Sequence, residues 1–310
     1  MKVVISEFID EQALGNFGSE LRVDYDPAYV DTPASLRAAL ADAEALIVRN
    51  RTQVDVALLE AAPRLRVIGR LGVGLDNIDL GACRDRGIAL HPATGANALP
   101  VAEYVIASML VLLRGAYFSN AEMIRGDWPR GALMGGEASG RIIGLVGYGG
   151  IARGVAARAR ALGMTVAAFD PHIPAEDPAW AETRRCTLEE LLGLSDVLSL
   201  HVPYAPETRG LIGADAIAKM KPGAIIINTA RGGILDEDAL IEALRDGRLG
   251  GAALDVFEVE PLTAEAGKRF DGIGNIILTP HIAGLTHEAN TRVSEVTVRN
   301  VLRELGVAET

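Results

Sequence analysis

The sequence predicts an α/β protein in which parallel sheets are covered by helices on both faces. Short β-branched runs without polar alternation recur along the chain, which is typical of strands buried on both sides of a sheet. Segments with helical spacing of apolar residues separate these runs, and Glu237–Arg245 and Ile151–Leu162 are examples of such crossover helices. The length of 310 residues is sufficient for two domains.

The predicted strands form two groups, which indicates two lobes. The first group comprises Val3–Ser6, Ala45–Val48, Arg66–Leu71 and Ile88–His91. The second group comprises Ile142–Val146, Thr165–Phe169, Val197–His201, Ala224–Asn228, Gly251–Leu254 and Ile276–Leu278.

An apolar helical pattern from Pro100 to about Arg125 separates the two groups, and a domain boundary is expected near Ala98. The final helical pattern, from about Glu288 to Leu305, follows the last strand. We expect this helix to pack against the first group of strands, which would make the first domain discontinuous.

Composition argues against several classes of partner. The net charge of −11 argues against a nucleic-acid surface. No apolar leader core follows Met1, and no stretch reaches the roughly 18 uninterrupted apolar residues of a membrane span. Cys83 and Cys186 show no CxxC spacing, which suits a reducing compartment. We therefore expect a cytoplasmic protein that binds neither nucleic acid nor membrane and holds no metal.

The segment 141–171, RIIGLVGYGGIARGVAARARALGMTVAAFDP, has the pattern of a dinucleotide site. Gly147 permits a tight turn after the strand, Gly149 lets the backbone approach a pyrophosphate, and Ala152 still allows close helix–strand packing. The N-terminus of the following helix offers free N–H groups to the phosphates. Asp170 lies 23 residues after Gly147, near the spacing expected of an acid that binds the adenosine ribose.

Asp170 also favours NAD over NADP as the cofactor. Its carboxylate can accept hydrogen bonds from a ribose diol but would repel a 2′-phosphate. The next residues, Pro171 and His172, supply no arginine to offset that repulsion. A Rossmann-like, NAD-binding lobe is the resulting prediction.

Polar side chains follow several strands of the second group, where ligands of open parallel sheets bind. Arg231 follows AIIINTA, Asp255 ends GGAAL, His281 follows IILTP, and Glu260 lies in the loop FEVEPL. Arg231 could grip a carboxylate through two N–H bonds, and His281 could exchange a proton beside Glu260, which would stabilise the imidazolium form. Simpler interpretations remain open: Arg231 could be a surface ion-pair partner, His281 a turn residue, and Glu260 a solvated loop carboxylate. His201 also ends a strand, so position alone does not select His281.

The residues resemble those of the D-isomer-specific 2-hydroxyacid dehydrogenase family. The resemblance rests on INTARGGILDEDALIEALRDGRLGGAALDVFEVEPL, NIILTPHIAG, RLGVGLDNIDL and VGYGGIA, which together extend over nearly the whole chain. It implies doubly wound parallel sheets in two lobes, with the NAD-binding lobe inserted into the substrate-binding lobe. Residues 1–98 and 285–310 would form the substrate-binding domain, and residues 99–284 the NAD-binding domain.

The same resemblance implies individual roles. Arg231 would orient the substrate's carboxylate and carbonyl, His281 would be the acid–base residue, and Glu260 would hold it protonated. The backbone near Leu71, Val73 and Gly74 would receive the substrate carboxylate. The implied cofactor contacts are Gly147, Gly149, Gly150, Ile151, Asp170, Val202, Pro203, Thr208, Thr229, Ala230, Arg231, Asp255, His281, Ala283 and Gly284.

Arg49 bears on the substrate. It matches a position that contacts the distal phosphate in family members acting on 3-phosphoglycerate, and Arg51 lies on the same side of an extended segment. A substrate with a second anionic group, of the 3-sulfolactate or 3-phosphoglycerate type, is therefore expected. A solvated or ion-paired arginine is the alternative.

Other functions within related classes of protein remain open at this point. A glyoxylate or hydroxypyruvate reductase would use the same catalytic residues without Arg49, and an NAD-sensing corepressor would share the fold without turnover. Formate dehydrogenase pairs its histidine with glutamine, but Gln12 and Gln53 lie far from the strand ends. The resemblance also implies a homodimer.

Overall fold

The computed structural model describes residues 1–308. The chain folds into two compact units, and each has its own parallel sheet. The first unit consists of Met1–Asn97 and the segment that begins at Leu285, and the second unit is Ala98–Gly284. The first unit is therefore discontinuous in sequence. No helix within residues 1–308 is long and apolar enough to cross a membrane.

The first unit contains a five-stranded parallel sheet in the order β2-β1-β3-β4-β5. Its strands and helices are β1 (Lys2–Ile5), α1 (Glu11–Leu14), β2 (Arg22–Tyr25), α2 (Pro33–Leu40), β3 (Ala45–Val48), α3 (Val56–Glu60), β4 (Val67–Arg70), α4 (Leu80–Asp85), β5 (Ala89–Pro92) and α12 (His287–Leu305). The buried side chains of α12 pack on this sheet. A Cβ atom at Gly69 in β4 would lie 2.7 Å from Val301 Cγ2, so the glycine allows α12 to approach the strand closely.

The second unit contains a seven-stranded parallel sheet in the order β12-β11-β10-β9-β6-β7-β8. Its elements are α5 (Ala98–Arg114), α6 (Asn120–Arg125), β6 (Ile142–Val146), α7 (Gly150–Ala161), β7 (Thr165–Phe169), β8 (Arg184–Arg185), α8 (Leu188–Leu194), β9 (Val197–Leu200), α9 (Ala214–Lys219), β10 (Ala224–Asn228), α10 (Glu237–Arg245), β11 (Leu249–Leu254), α11 (Ala264–Gly267) and β12 (Ile276–Leu278). From β6 the chain adds β7 and β8 on one side of the sheet, and from β9 it adds β10, β11 and β12 on the other side. Ligands of such sheets bind beyond the carboxyl ends of the strands at this switch point.

The predicted fold class is confirmed, with differences at the periphery. Strands β2 and β8 had no apolar run to mark them, because their sequences, RVDY and RR, lie at sheet edges and are partly or largely exposed. The helix predicted from Pro100 to about Arg125 breaks at Gly115, whose φ of 64° is left-handed, and continues as the separate helix α6.

Candidate active site

The glycine-rich loop after β6 is shaped for a close backbone approach. Gly147 has a φ of 85°, and a Cβ atom there would lie 2.8 Å from the His201 carbonyl oxygen, so only glycine fits. Gly149 precedes α7 and offers no side-chain cap to the first-turn N–H groups. Cβ atoms at Gly149 and Gly150 would meet no atom within 4 Å. The first turn of α7, which includes Ile151, therefore presents open N–H groups suited to a diphosphate.

Asp170 lies at the end of β7, beside this loop. One carboxylate oxygen accepts the Tyr148 N–H and the other accepts the His172 N–H, both at 2.9 Å. Register brings the ends of β6 and β7 together, since Val146 pairs with Phe169. The carboxylate is thus fixed next to the glycine turn, where a ribose diol would follow the diphosphate.

Two further loops, which follow β9 and β10, contain the predicted cofactor contacts between Val202 and Thr208 and between Thr229 and Arg231. Thr208 Oγ1 donates to the Pro203 carbonyl at 2.6 Å and accepts the Ala205 N–H at 2.8 Å, which closes the loop that follows Val202. Thr229 Oγ1 is buried and has no hydrogen-bond partner within residues 1–308. A buried hydroxyl without a partner is unfavourable, so this atom fits a bound polar group.

His281 and Glu260 form a hydrogen-bonded pair. His281 Nδ1 lies 2.8 Å from Glu260 Oε2, while Glu260 Oε1 accepts the Phe257 N–H at 3.0 Å. Because a carboxylate only accepts, Nδ1 carries the proton and Nε2 remains for exchange with a ligand. The side chain of His281 is 44% exposed, which leaves the ring accessible.

Asp255 fixes the segment that carries His281. Its carboxylate is buried and accepts the N–H groups of Ile282 and Ala283, both at 2.8 Å, and its carbonyl accepts the His281 N–H at 2.8 Å. His281 has a φ of 54°, a left-handed conformation that is uncommon for residues other than glycine. These hydrogen bonds support that conformation, and Gly284 follows Ala283 at the end of the same segment.

Arg231 lies in a turn after β10 whose shape is set by Asn228. The Asn228 side chain accepts the Ala230 N–H and donates to the Arg231 carbonyl, each at 3.0 Å. Arg231 Nη1 donates to the Ala230 carbonyl at 2.6 Å. Asn228 pairs with Leu254, and Leu254 with Leu278, so Arg231, Asp255 and the His281 segment follow neighbouring strand ends.

His201 occupies a different environment from His281. Burial lowers the pKa of its imidazole to about 4, and its Nε2 lies 3.0 Å from Ser199 Oγ. The ring is therefore neutral near pH 7. The structure thus separates two strand-end histidines that the sequence left equivalent, since His281 is exposed and paired with a carboxylate and His201 is not.

In the first unit, Glu7 organises the segment that carries Arg49. Its buried carboxylate accepts the N–H groups of Arg49, Arg51 and Thr52 at 2.9, 3.1 and 2.9 Å. Sequence reasoning missed Glu7, because an acidic residue after a strand gives no signal of contacts to a segment some 40 residues away. This carboxylate fixes where both arginine side chains begin.

The two arginines differ in their partners. Arg49 donates to the Phe8 carbonyl at 3.2 Å and to Asn290 Oδ1 at 3.0 Å, and forms no ion pair within the described residues. Burial lowers the pKa of its guanidinium below the usual value. Arg51 is exposed and forms an ion pair with Asp31. The ion-paired alternative therefore applies to Arg51 and not to Arg49.

The loop after β4 differs in part from the prediction. The N–H of Leu71 donates to the Val48 carbonyl at 2.8 Å, which continues the pairing of β4 with β3, so it is not available to a ligand. The N–H groups of Val73 and Gly74 have no hydrogen-bond acceptor in the described part of the chain. Only these two predicted donors are open.

The second unit therefore combines a diphosphate cradle and an acid that suits a ribose with a histidine–carboxylate pair and an arginine at neighbouring strand ends. Reduction of a 2-oxo acid requires a proton donor and a cation beside a nicotinamide cofactor. Fold and site together define a nucleotide-dependent dehydrogenase of the doubly wound α/β class.

Comparisons with known proteins identify the family. Residues 106–283 match the model described as D-isomer specific 2-hydroxyacid dehydrogenase, NAD binding domain. The chain is 55% identical over 306 residues to the (S)-sulfolactate dehydrogenase of Chromohalobacter salexigens, with 98% of each chain covered. It is 40% identical over 272 residues to the hydroxypyruvate reductase of Thermotoga maritima, with 88% of each covered. The crystal structure of D-lactate dehydrogenase from Aquifex aeolicus, complexed with NAD and lactic acid, has a TM-score of 0.84 at 30% identity and covers 99% of this chain and 96% of that chain.

The chain belongs to the D-isomer-specific 2-hydroxyacid dehydrogenase family and is an NAD-dependent dehydrogenase of 2-hydroxy acids. The predicted family, reaction class and cofactor are confirmed. The open N–H groups of α7 and the unpartnered Thr229 hydroxyl fit NAD. The roles of individual residues stay predictions.

Proposed function

We propose that this dehydrogenase acts on a 2-hydroxy acid with a second anionic group, namely 3-sulfolactate, which it oxidises to 3-sulfopyruvate. The environment of Arg49 carries the proposal. Its guanidinium is partly buried and donates only to neutral oxygens, and burial lowers its pKa despite the opposing effect of the nearby Glu7 carboxylate. A bound anion would offset the cost of that buried charge. The similarity to a sulfolactate dehydrogenase over nearly the full length of both chains supports the same substrate.

Three side chains of the second unit would carry the reaction. In the oxidative direction, His281 Nε2 would accept the proton of the 2-hydroxyl, because Nδ1 is held by Glu260. Glu260 would stabilise the resulting imidazolium. Arg231 would bind the C1 carboxylate through parallel N–H bonds. NAD, when bound, supplies the hydride acceptor.

The first unit would contribute anion-binding groups. Within this unit, the Arg49 guanidinium would bind the distal sulfonate, and the open N–H groups of Val73 and Gly74 are suited to an anionic group. Successive free N–H groups of this kind form anion-binding concavities. Arg51, already paired with Asp31, would have no part in binding.

The test is NADH-dependent reduction of a panel of 2-oxo acids. The panel contains sulfopyruvate, phosphohydroxypyruvate, oxaloacetate, hydroxypyruvate and glyoxylate, each repeated with NADPH. We expect kcat/KM for sulfopyruvate to exceed that for glyoxylate at least ~100-fold, which corresponds to about 2.7 kcal/mol. Arg49→Ala should abolish most of this preference, and the matched control Arg51→Ala should keep it. Preference for hydroxypyruvate or glyoxylate in the wild type would contradict the proposal and favour a general reductase.

We further propose a cytoplasmic homodimer. The support is a group of exposed apolar side chains in one segment of the second unit, since large contiguous apolar patches mark interaction surfaces. These side chains are Tyr117, Phe118, Met123, Ile124, Trp128 and Met134. Light scattering should give twice the chain mass of 32.7 kDa. Trp128→Ser combined with Ile124→Ser should lower the measured mass, and an unchanged mass would place the interface elsewhere.

A further inference from the structure

The hydroxyl of Tyr104 belongs to a chain of hydrogen bonds that leads to the His281 segment. Its hydroxyl, on α5, lies 2.6 Å from Thr279 Oγ1, and Thr279 Oγ1 lies 2.5 Å from Asp255 Oδ1. No sequence motif gave Tyr104 a role, because it lies on α5, before the glycine-rich loop, and 175 residues before Thr279 in the sequence. The chain thus connects an early helix to the segment that carries the predicted proton donor.

The direction of these hydrogen bonds follows from the number of protons. A carboxylate only accepts, so Thr279 donates its single hydroxyl proton to Asp255. Tyr104 must therefore donate to Thr279. Burial, the largest cause, raises the pKa of Tyr104 above its usual value, so this hydroxyl keeps its proton near neutral pH. Consecutive hydrogen bonds of this kind polarise one another and strengthen the chain by roughly 10–30% per bond.

Asp255 is the point at which this chain meets the His281 segment. It is 1% exposed, and it binds the N–H groups of His281, Ile282 and Ala283 in addition to the Thr279 hydroxyl. The left-handed φ of His281 persists only if surrounding contacts fix it. Removing the Tyr104 hydroxyl, which donates to Thr279, weakens the contact between Thr279 and Asp255 at the start of this segment.

We propose that Tyr104 is a positioning residue that acts through Thr279 and Asp255 to hold His281 in its reactive orientation. The inference rests on the proposed acid–base role of His281. Tyr104 itself touches neither substrate nor cofactor in this scheme. Its loss changes the alignment of the imidazole, so it affects proton transfer and kcat, while NADH affinity changes little, because most of the predicted cofactor contacts, including the glycine-rich loop and Asp170, lie on other strands.

The test compares four variants of the two hydroxyl residues. Tyr104→Phe keeps the ring and removes the donor, and kcat should fall about 3- to 10-fold, as for the loss of one hydrogen bond. The Kd for NADH should stay within about 2-fold. Thr279→Val removes the middle hydroxyl and should lower kcat further, whereas Thr279→Ser keeps it and should retain most activity. The double variant Tyr104→Phe/Thr279→Val should be no slower than Thr279→Val alone, because both changes interrupt one chain.

Tyr29→Phe is the matched control. It removes a half-buried tyrosine hydroxyl that donates to Asp24 at 2.9 Å in the first unit, outside the catalytic and binding residues. We expect wild-type kcat from this variant. The solvent deuterium isotope effect on kcat should rise in Tyr104→Phe and stay constant in Tyr29→Phe, because only the former slows proton transfer.

Three outcomes would overturn the inference. They are an unchanged kcat in Tyr104→Phe, additive losses in the double variant, and a loss that reflects only a smaller folded fraction as counted by NADH titration. If Tyr104→Phe fails to fold, equal kcat in Thr279→Ser and Thr279→Val overturns it. Failure of the proposed function appears separately. It would be seen as a wild type without sulfopyruvate reduction, or as a His281→Gln variant that retains the wild-type rate.

Discussion

A methyl group at Gly232 should separate the Arg231 turn from the loop that carries Glu260. A Cβ atom at Gly232 would lie 1.8 Å from the Phe257 carbonyl oxygen and 2.7 Å from the Glu258 nitrogen, whereas real Cβ contacts essentially never fall below 3.0 Å. Both contacts are to backbone, so no side chain can rotate away. The two segments must therefore move apart by about 1.2 Å in Gly232→Ala.

That displacement reaches the proposed catalytic pair, Glu260 and His281, directly. The Phe257 N–H donates to Glu260 Oε1 at 3.0 Å, and Glu260 Oε2 binds His281. A misplacement of about 1 Å can cost about 100-fold in rate, so kcat/KM for the 2-oxo acid should fall by about that factor. NADH binding should weaken less than kcat/KM, because the predicted contacts Thr229 and Ala230 lie in the displaced turn whereas the glycine-rich loop and Asp170 lie on other strands.

The assay is steady-state NADH oxidation with active sites counted by NADH titration. Gly193→Ala is the matched control, because this helical glycine has no atom within 4 Å of an added Cβ. The control should keep wild-type kcat/KM and gain about 0.5–1 kcal/mol of stability. If Gly232→Ala stayed within about 3-fold of the wild type, the argument that a 1 Å movement is costly here would be refuted.

Three further predictions concern charge. His201, with its pKa lowered by burial from 6.5 to about 4, keeps its full contribution to stability only above pH 6.5. At about 1.36 kcal/mol per pH unit, the unfolding free energy of the wild type should therefore fall by about 3 kcal/mol relative to His201→Gln as the pH drops from 6.5 to 4, and parallel curves in urea titrations would contradict this. Glu237 has its pKa raised by burial, so stability present below pH 4.5 is lost as the pH rises. The stability of Glu237→Gln relative to the wild type should thus increase as the pH rises from 4.5 to 8. A difference in melting temperature that stays constant over this range would contradict the prediction. Asp170→Ala should raise the Kd for NADH about 10- to 100-fold and reduce the preference for NADH over NADPH. Calorimetric titration with each cofactor measures both effects.

The fold was largely predictable because buried parallel strands have a simple sequence signature. Runs such as AIIIN and IIGLV are apolar on both faces, and their strands begin and end as predicted. The polar edge strands β2 and β8 lack that signature, since they have few neighbours to bury them. The break at Gly115 in the predicted long helix depends on how the chain leaves α5, which local periodicity does not describe.

The residue types of the candidate site were predictable from the sequence, but which of two similar residues belongs to the site was not. Two histidines end strands, and only the resemblance to a family favoured His281 over His201. The structure supplies a physical reason, because His201 is partly buried with a pKa lowered by burial while His281 is exposed beside Glu260. Tyr104 could not be inferred, since its contact with Thr279 joins elements far apart in sequence. Such contacts follow from the register of the sheet and the packing of α5.

Arg49 and Arg51 are a second pair of similar residues that the sequence does not distinguish, and the proposed substrate depends on the difference between them. Two arginines two residues apart carry equal charge and share a backbone segment whose N–H groups bind the Glu7 carboxylate. An anion that approached Arg51 would have to compete with Asp31 in an exposed position, where an ion pair contributes little. Arg49 donates only to neutral oxygens and is partly buried, and the nearby Glu7 carboxylate offsets the effect of burial on its pKa only in part, so an added sulfonate there would meet a cation that forms no ion pair within the described residues. The proposed selectivity for a second anionic group would therefore depend on the partners each arginine already has, and these partners exist only in the folded chain.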